Sequence, residues 1–237
     1  MRIDEVIRRR DIDPRLMFKC IFIMGSPGSG KSTFAEDYLG LPKEFVIADL
    51  DKVMSTLKIR DYNEQNTKRG WSLLNRRIRR HWATQGLPLA VVTTGKDLPL
   101  TVYNARFLQA MGYDVFGLYV LTELQTAIDR AQYREKHSTD PKDQGRKTDV
   151  DYIEDVYDTL SKVRNKYDSV FWNEFSGFAM ALNTEWVDPF SRKNEEAKEL
   201  IDVFLNQPLY NKRGRKKLGI SSQTDFTRFG EPQSGPF

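Results

Sequence analysis

Apolar and polar positions follow two different periods along this chain, and the alternation between them sets the expected fold. Short, nearly unbroken apolar runs at Lys19–Met24, 45–50, 87–93, 115–120 and Phe178–Leu182 read as strands buried on both faces. Between them lie segments of helical period, at 33–39, about 63–85, 99–111, 122–137 and 150–166. In the longest, Trp71, Leu74, Ile78 and Trp82 recur at helical spacing as one apolar stripe. Gly86 breaks this helix and Gly112 ends the next. Strands alternating with helices predict an α/β fold: a parallel sheet of about five strands with helices on both faces. One domain is expected to span residues 1–185. Residues 186–237 would then add a charged helix at about 191–206 and a basic, flexible tail. In that tail Lys212, Arg213, Arg215, Lys216 and Lys217 fill five of six positions. No internal repeat is present.

Composition narrows the class. A chain of 237 residues, 39% hydrophobic and 30% charged, suits one soluble core with a polar surface. No apolar run approaches the ~20 residues that span a bilayer. The first ten residues lack the apolar stretch of a secretory signal, so a cytoplasmic protein without membrane partners is expected. A single cysteine, Cys20, excludes an internal disulfide, and two histidines with no Cys/His cluster argue against structural zinc. The net charge of +4 is mild, and its meaning depends on where the basic residues gather.

The chemistry centres on Gly25-Ser26-Pro27-Gly28-Ser29-Gly30-Lys31-Ser32, a complete G-x-x-x-x-G-K-[ST] match followed by Thr33. It lies between a predicted strand and a predicted helix, the context the motif requires. Backbone amides of such a loop form a nest for phosphate oxygens, with the helix's positive end aimed the same way. Lys31 would reach the β- and γ-phosphates of a nucleoside triphosphate, and the Ser32 hydroxyl would sit on Mg²⁺.

Asp49 and Asp51 fall at the carboxyl end of the second strand, where an open α/β sheet builds its crevice. Asp51 is a candidate base for an alcohol's proton, and Asp49 a candidate contact to metal or substrate. Were the strand to continue, the two would point the same way; alternatively one of them caps a helix. Arg130 and Arg134 share a helix face, and Arg146 lies in the polar stretch 138–148. Together they suggest a lid that clamps a transferring phosphoryl group, although each alone would serve as a solvated charge. The third strand ends in Thr93-Thr94-Gly95 with no acid before Asp97. Arg76, Arg77, Arg79 and Arg80 form either a solvated helix face or, with the basic tail, a surface for phosphate backbones.

With these elements in place the chain resembles, over roughly residues 19–183, a group of P-loop kinases. The group includes zeta-toxin-like kinases, polynucleotide kinases and phage kinases of hydroxymethylated DNA bases. The resemblance implies that the expected sheet is a P-loop kinase-like one, that residues 1–185 are a P-loop kinase domain, and that the protein phosphorylates an alcohol with ATP and Mg²⁺. Under it Lys31 is the phosphate lysine, Ser32 the metal hydroxyl, Asp51 the second-strand acid, and Arg130 and Arg134 the lid arginines. The third-strand end departs from the group's acid-glycine-threonine pattern, which puts metal binding there in doubt.

Nucleic acid, DNA above all, is the expected substrate: a hydroxymethylated pyrimidine base, as in phage DNA modification, or a polynucleotide 5′-hydroxyl. If phage-encoded, the protein would work in the host cytoplasm. The alternatives are a zeta-toxin-like kinase of a nucleotide sugar or small metabolite, and a nucleotide-binding regulatory module. The sequence does not specify an oligomeric state.

Overall fold

The computed structural model describes residues 12–31, 41–59, 64–137, 149–183 and 192–220. Five strands pair in parallel in the order β2-β3-β1-β4-β5: β1 (Lys19–Met24), β2 (Val46–Asp49), β3 (Leu89–Thr93), β4 (Asp114–Leu121) and β5 (Phe178–Leu182). The expected α/β architecture is therefore the observed one. Every residue of central β1 is buried, whereas edge strand β2 leaves three of its four residues partly exposed. That gradient explains why the central strands read as continuous apolar runs.

The pleat separates the core into two layers. Cys20, Phe22 and Met24 of β1 join Leu89, Val91, Val115, Tyr119 and Phe178 on one face. Against them pack α2 (Glu64–Arg77), α3 (Leu98–Met111) and α5 (Val150–Glu174). The expected stripe on the long helix holds, with Leu74 and Ile78 buried and Trp71 and Trp82 half-buried. After Arg77 the helix loosens to a π turn at Ile78–Trp82, then tightens to a 3-10 turn that ends at Gly86. Ile21, Ile23, Ala90, Val92, Leu118 and Ala181 face the other way. There α6 (Arg192–Asn206) covers them with Ala197, Ile201 and Phe204.

Three elements differ from expectation. Helix α5 runs two turns beyond residue 166, because Tyr167 and Phe171 continue its buried stripe past the polar Arg164-Asn165-Lys166. Strand β2 stops at Asp49, whose carboxylate accepts from the Asp51 amide at 2.9 Å and starts α1 (Leu50–Thr56). The basic run expected in a flexible tail forms α7 (Lys212–Leu218), docked on the carboxyl end of α3. There Arg213 Nη1 donates to Ala110 O and Lys217 Nζ to Met111 O, so two tail cations satisfy the last carbonyls of α3. Gly214 passes so close to Gly112 that a Cβ on it would fall 2.2 Å from the Gly112 oxygen.

The docking is anchored at the amino-terminal edge of the sheet. Asp114 and Lys19, neighbours in register on β4 and β1, form a buried ion pair at 3.1 Å. The Asp114 carboxylate also accepts from the amides of Tyr210 and Asn211, at 2.8 and 2.9 Å. Burial pulls the Lys19 amine below its usual value, and Asp114 opposes that shift.

Candidate active site

The glycine loop leaves β1 at the carboxyl edge of the sheet and folds back on itself. The Ser26 carbonyl accepts from the Ser29 amide and from Lys31 Nζ, each at 3.1 Å, so Lys31 lies across the loop. Gly28 and Gly30 take φ of 78° and 68°, a conformation other residues avoid. They are also wedged: a Cβ on Gly28 would fall 2.1 Å from Ala127 O, in α4 (Leu124–His137). One on Gly30 would fall 2.6 Å from Asn183 Nδ2. Pro27 and Ser29 are buried, and the Ser29 hydroxyl makes no hydrogen bond with any described residue. On the β3 side the Gly25 amide donates to Thr94 O at 3.3 Å. Ser32 and Thr33 lie outside the described residues.

Asn183, just past β5, ties three parts of the site together. Its Nδ2 donates to Ser29 O at 2.7 Å and its amide to Leu121 O at 2.8 Å. Its carbonyl accepts from Thr122 Oγ1 at 2.8 Å and from Arg130 Nη1 at 3.0 Å. Arg130 is thereby drawn to the loop, with Nη1 3.9 Å from where a Gly30 Cβ would stand. A lone asparagine after a strand carries no sequence signal of this role.

Asp49 pairs in register with Val92, and Val92 with Ile23 of β1. Two strand spacings place Asp49 about 10 Å across the sheet from the base of the loop. Asp51 sits in the first turn of α1 and does not extend the strand, so the two carboxylates do not share a strand face. Asp49 itself is the helix cap, accepting through Oδ1. Arg134, half-buried, lies one turn beyond Arg130 on α4, and Arg146 is outside the described residues.

The end of β3 is a plain turn with bound hydroxyls. Thr93 Oγ1 accepts from the Gly95 amide at 3.3 Å, and Thr94 Oγ1 from that of Lys96 at 3.4 Å. Asp97, the next acid, caps α3 by accepting from the Leu100 amide at 2.9 Å, so it does not replace the absent strand-end acid. Lys96 pairs with Asp155 of α5. Beneath the turn the Tyr167 hydroxyl donates to Gly95 O at 2.6 Å, and burial pushes this phenol up to about 12.

These residues fit a nucleoside triphosphate. A cradle with no room for side chains, a lysine across it and an arginine beside it form a donor-rich concavity for phosphate oxygens. Among the described residues no group of three His, Cys, Asp or Glu side chains could hold a metal by itself. A Mg²⁺ ion would thus depend on Asp49, Ser32 and the phosphates. Among the described residues no helix is long and apolar enough to cross a membrane.

Known structures share this fold. A chain of the PezAT chromosomal toxin–antitoxin system of Streptococcus pneumoniae superposes with TM-score 0.53 at 15% identity, covering 92% of this chain and 93% of that one. A candidate kinase from Chloroflexus aurantiacus gives 0.53 at 12% identity, covering 78% and 96%. A chain of the Pnkp1/Rnl/Hen1 RNA repair complex gives 0.52 at 17% identity, over 64% of this chain and 47% of that one. No curated protein sequence matches the chain. The Zeta toxin family model matches residues 4–174, well over half the chain. With a P-loop kinase-like fold and a complete glycine loop, the chain belongs to the Zeta toxin family.

Proposed function

We propose that this protein is a phosphotransferase that moves the γ-phosphate of ATP onto an alcohol. The convergence of Lys31 and Arg130 on the glycine loop, with Asp49 and Asp51 across the same sheet edge, carries this reading. The acceptor oxygen attacks the γ-phosphorus as the bond to the β–γ bridging oxygen breaks. The alcohol's proton passes to the Asp51 carboxylate, and ADP leaves. Lys31, Arg130 and Arg134 offset the charge on the transferring group, and Arg146 would join them from the 138–148 segment. Mg²⁺, held through Ser32 and Asp49, would neutralise phosphate charge when bound.

A small metabolite such as a nucleotide sugar is the acceptor class favoured here. Arg213 and Lys217 are engaged with the carbonyls of α3, which removes them from a backbone-binding surface. Nucleic acid is the second reading, a DNA hydroxymethyl base or a 5′-hydroxyl, and the exposed Arg76, Arg77 and Arg80 on one helix favour it. The remaining arginine of this run, Arg79, packs instead over the Phe107 ring at 4.5 Å.

Incubation with γ-labelled ATP and Mg²⁺ against UDP-sugars, RNA, plain DNA and 5-hydroxymethyl-pyrimidine DNA separates these readings. Lys31→Ala should lower transfer by about 10²–10³-fold. Asp51→Asn should lower it by about 10²–10⁴-fold, and full activity in that variant would remove Asp51 as the base. ATP hydrolysis without transfer to any alcohol would instead support a regulatory nucleotide-binding module.

A further inference from the structure

The mild net charge of this chain is the difference between two unlike surfaces. Residues 65–113 hold eight Lys and Arg against one carboxylate, and residues 203–220 hold five against none. Elsewhere Asp and Glu outnumber Lys and Arg. The two basic stretches supply α2, α3 and α7, and the fold joins them: Arg213 meets Ala110 across 103 positions. The one carboxylate, Asp97, caps the far end of α3 by accepting from the Leu100 amide. Glu174, which reaches α3 from α5, is held in a fork by Arg106.

Helix α3 is the spine of this surface. It buries Thr101, Val102, Ala105 and Leu108, and on its outer side Tyr103, Phe107 and Ala110 recur at i, i+4 and i+7. Tyr103 is 56% exposed and Phe107 half-buried. Arg79 borders this stripe, with its guanidinium 4.5 Å from the centre of the Phe107 ring and 5.7 Å from that of Tyr103. Beside Arg79 lies an exposed row: Arg69 and Arg76, seven apart on α2, and Arg80 one turn further on. At the other end of the stripe, past Ala110, α7 presents exposed Lys212 and Lys216, four apart. The stripe runs from the middle of α3 toward the amino-terminal edge of the sheet, away from the glycine loop.

Cations set in rows, with no carboxylate among them, are the footprint of a polyanion. The bare Tyr103 ring between the rows adds a flat surface. An acidic peptide carries repeated charge but no flat faces, and a duplex hides the faces of its bases. A single strand offers both, phosphates at regular spacing and bases free to stack.

We propose that α2, α3 and α7 form a docking face for single-stranded nucleic acid, separate from the glycine loop. Arg69, Arg76 and Arg80 hold phosphates on one side of the stripe and Lys212 and Lys216 at its end, while Tyr103 stacks a base. The face captures a strand whichever alcohol accepts the γ-phosphate, so it goes beyond the phosphotransferase reading and does not depend on it.

Fluorescence anisotropy of the full chain with labelled oligonucleotides tests this, using RNA and DNA, single-stranded and duplex, from about 50 to 200 mM salt. Saturable binding of single strands of either sugar is expected, falling steeply with salt. Arg76→Gln with Arg80→Gln, and separately Lys212→Gln with Lys216→Gln, should each weaken it about tenfold. Each pair should also lower the slope of log K against log salt by about 1.4, the value for two lost phosphate contacts. Tyr103→Ala should weaken single-strand binding about fivefold or more and leave any duplex binding in place. Lys162→Gln with Lys166→Gln removes the same charge from exposed positions of α5 and should change little. Equal weakening by that pair would mean that net charge alone attracts the strand, which overturns the face. Duplex bound as tightly as single strand, with no effect of Tyr103→Ala, overturns the single-strand assignment. Binding to phosphatidylserine vesicles but to no oligonucleotide overturns it in favour of a membrane surface. Displacement of the strand by ATP would place it in the glycine loop and overturn the separation. None of these measurements needs turnover, so their failure is distinct from an absence of phosphotransfer.

Discussion

The two edges of one parallel sheet are finished in opposite ways. At the amino-terminal edge the charged Lys19 and Asp114 are buried against each other, and Asp114 also accepts from two backbone amides of the segment leading into α7. At the carboxyl edge the loop is held in place from behind by Asn183 and Thr94, Lys31 lies across it on Ser26 O, and the Ser29 hydroxyl has no partner among the described residues. Buried polar groups are normally satisfied. Around Lys19 and Asp114 the buried charges are satisfied by each other and by backbone amides, whereas in the loop one buried hydroxyl, Ser29 Oγ, finds no partner among the described residues.

The strongest way to break that contrast is at the locked edge. Asp114→Ala leaves Lys19 buried without its counter-ion and orphans the Tyr210 and Asn211 amides. Removing one partner of a buried pair costs about 3–5 kcal/mol. Denaturant unfolding should show that loss, with ATP affinity of the still-folded fraction unchanged. A loss below about 1 kcal/mol would mean that the C-terminal segment is not anchored through Asp114.

A smaller effect is expected beneath the open edge, at Tyr167. Burial raises this phenol to about 12 in the folded protein, above its ordinary value of 10.0. The folded state therefore holds the proton more tightly than the unfolded chain does. Its contribution is complete below pH 10 and disappears as pH rises toward 12, by up to about 2 kcal/mol. Tyr113 and Tyr119 shift in the same direction, so Tyr167→Phe should remove only part of the alkaline loss of stability. An unchanged pH profile in that variant would show that the Tyr167–Gly95 bond does not couple to folding.

Much of the frame was legible in the sequence because its signals are local. β1 and β5 begin and end where their apolar runs do, and the glycine loop is specified by its own eight residues. What escaped is non-local or ambiguous in charge. Asn183 meets Ser29 across 154 positions. The basic residues of α7 read as solvated because nothing in their spacing reveals that α3 ends beside them. The direction of Asp51 stayed open in the sequence, between a continuing strand and a helix cap, because the choice turns on one hydrogen bond from its own amide to Asp49.

The finest test compares two asparagines that flank the end of β5. Asn194 of α6 donates to Leu182 O at 3.0 Å and accepts from Leu182 N at 2.7 Å, so it completes the outer edge of the strand as another strand would. Asn183 turns the other way and holds the loop. Asn183→Ala deletes the side-chain bond to Ser29, while the backbone bonds to Leu121, Thr122 and Arg130 can remain. The value of one such bond, about 1 kcal/mol, predicts an ATP KM raised about five- to tenfold with little change in unfolding midpoint. Asn194→Ala should do the reverse, lowering stability by about 1–3 kcal/mol and leaving ATP affinity in place. If the two substitutions gave the same pattern, the distinction between a held loop and a finished edge would fail. If they separate, the amide that touches the loop positions the phosphate donor, and its neighbour eleven residues on only closes the sheet.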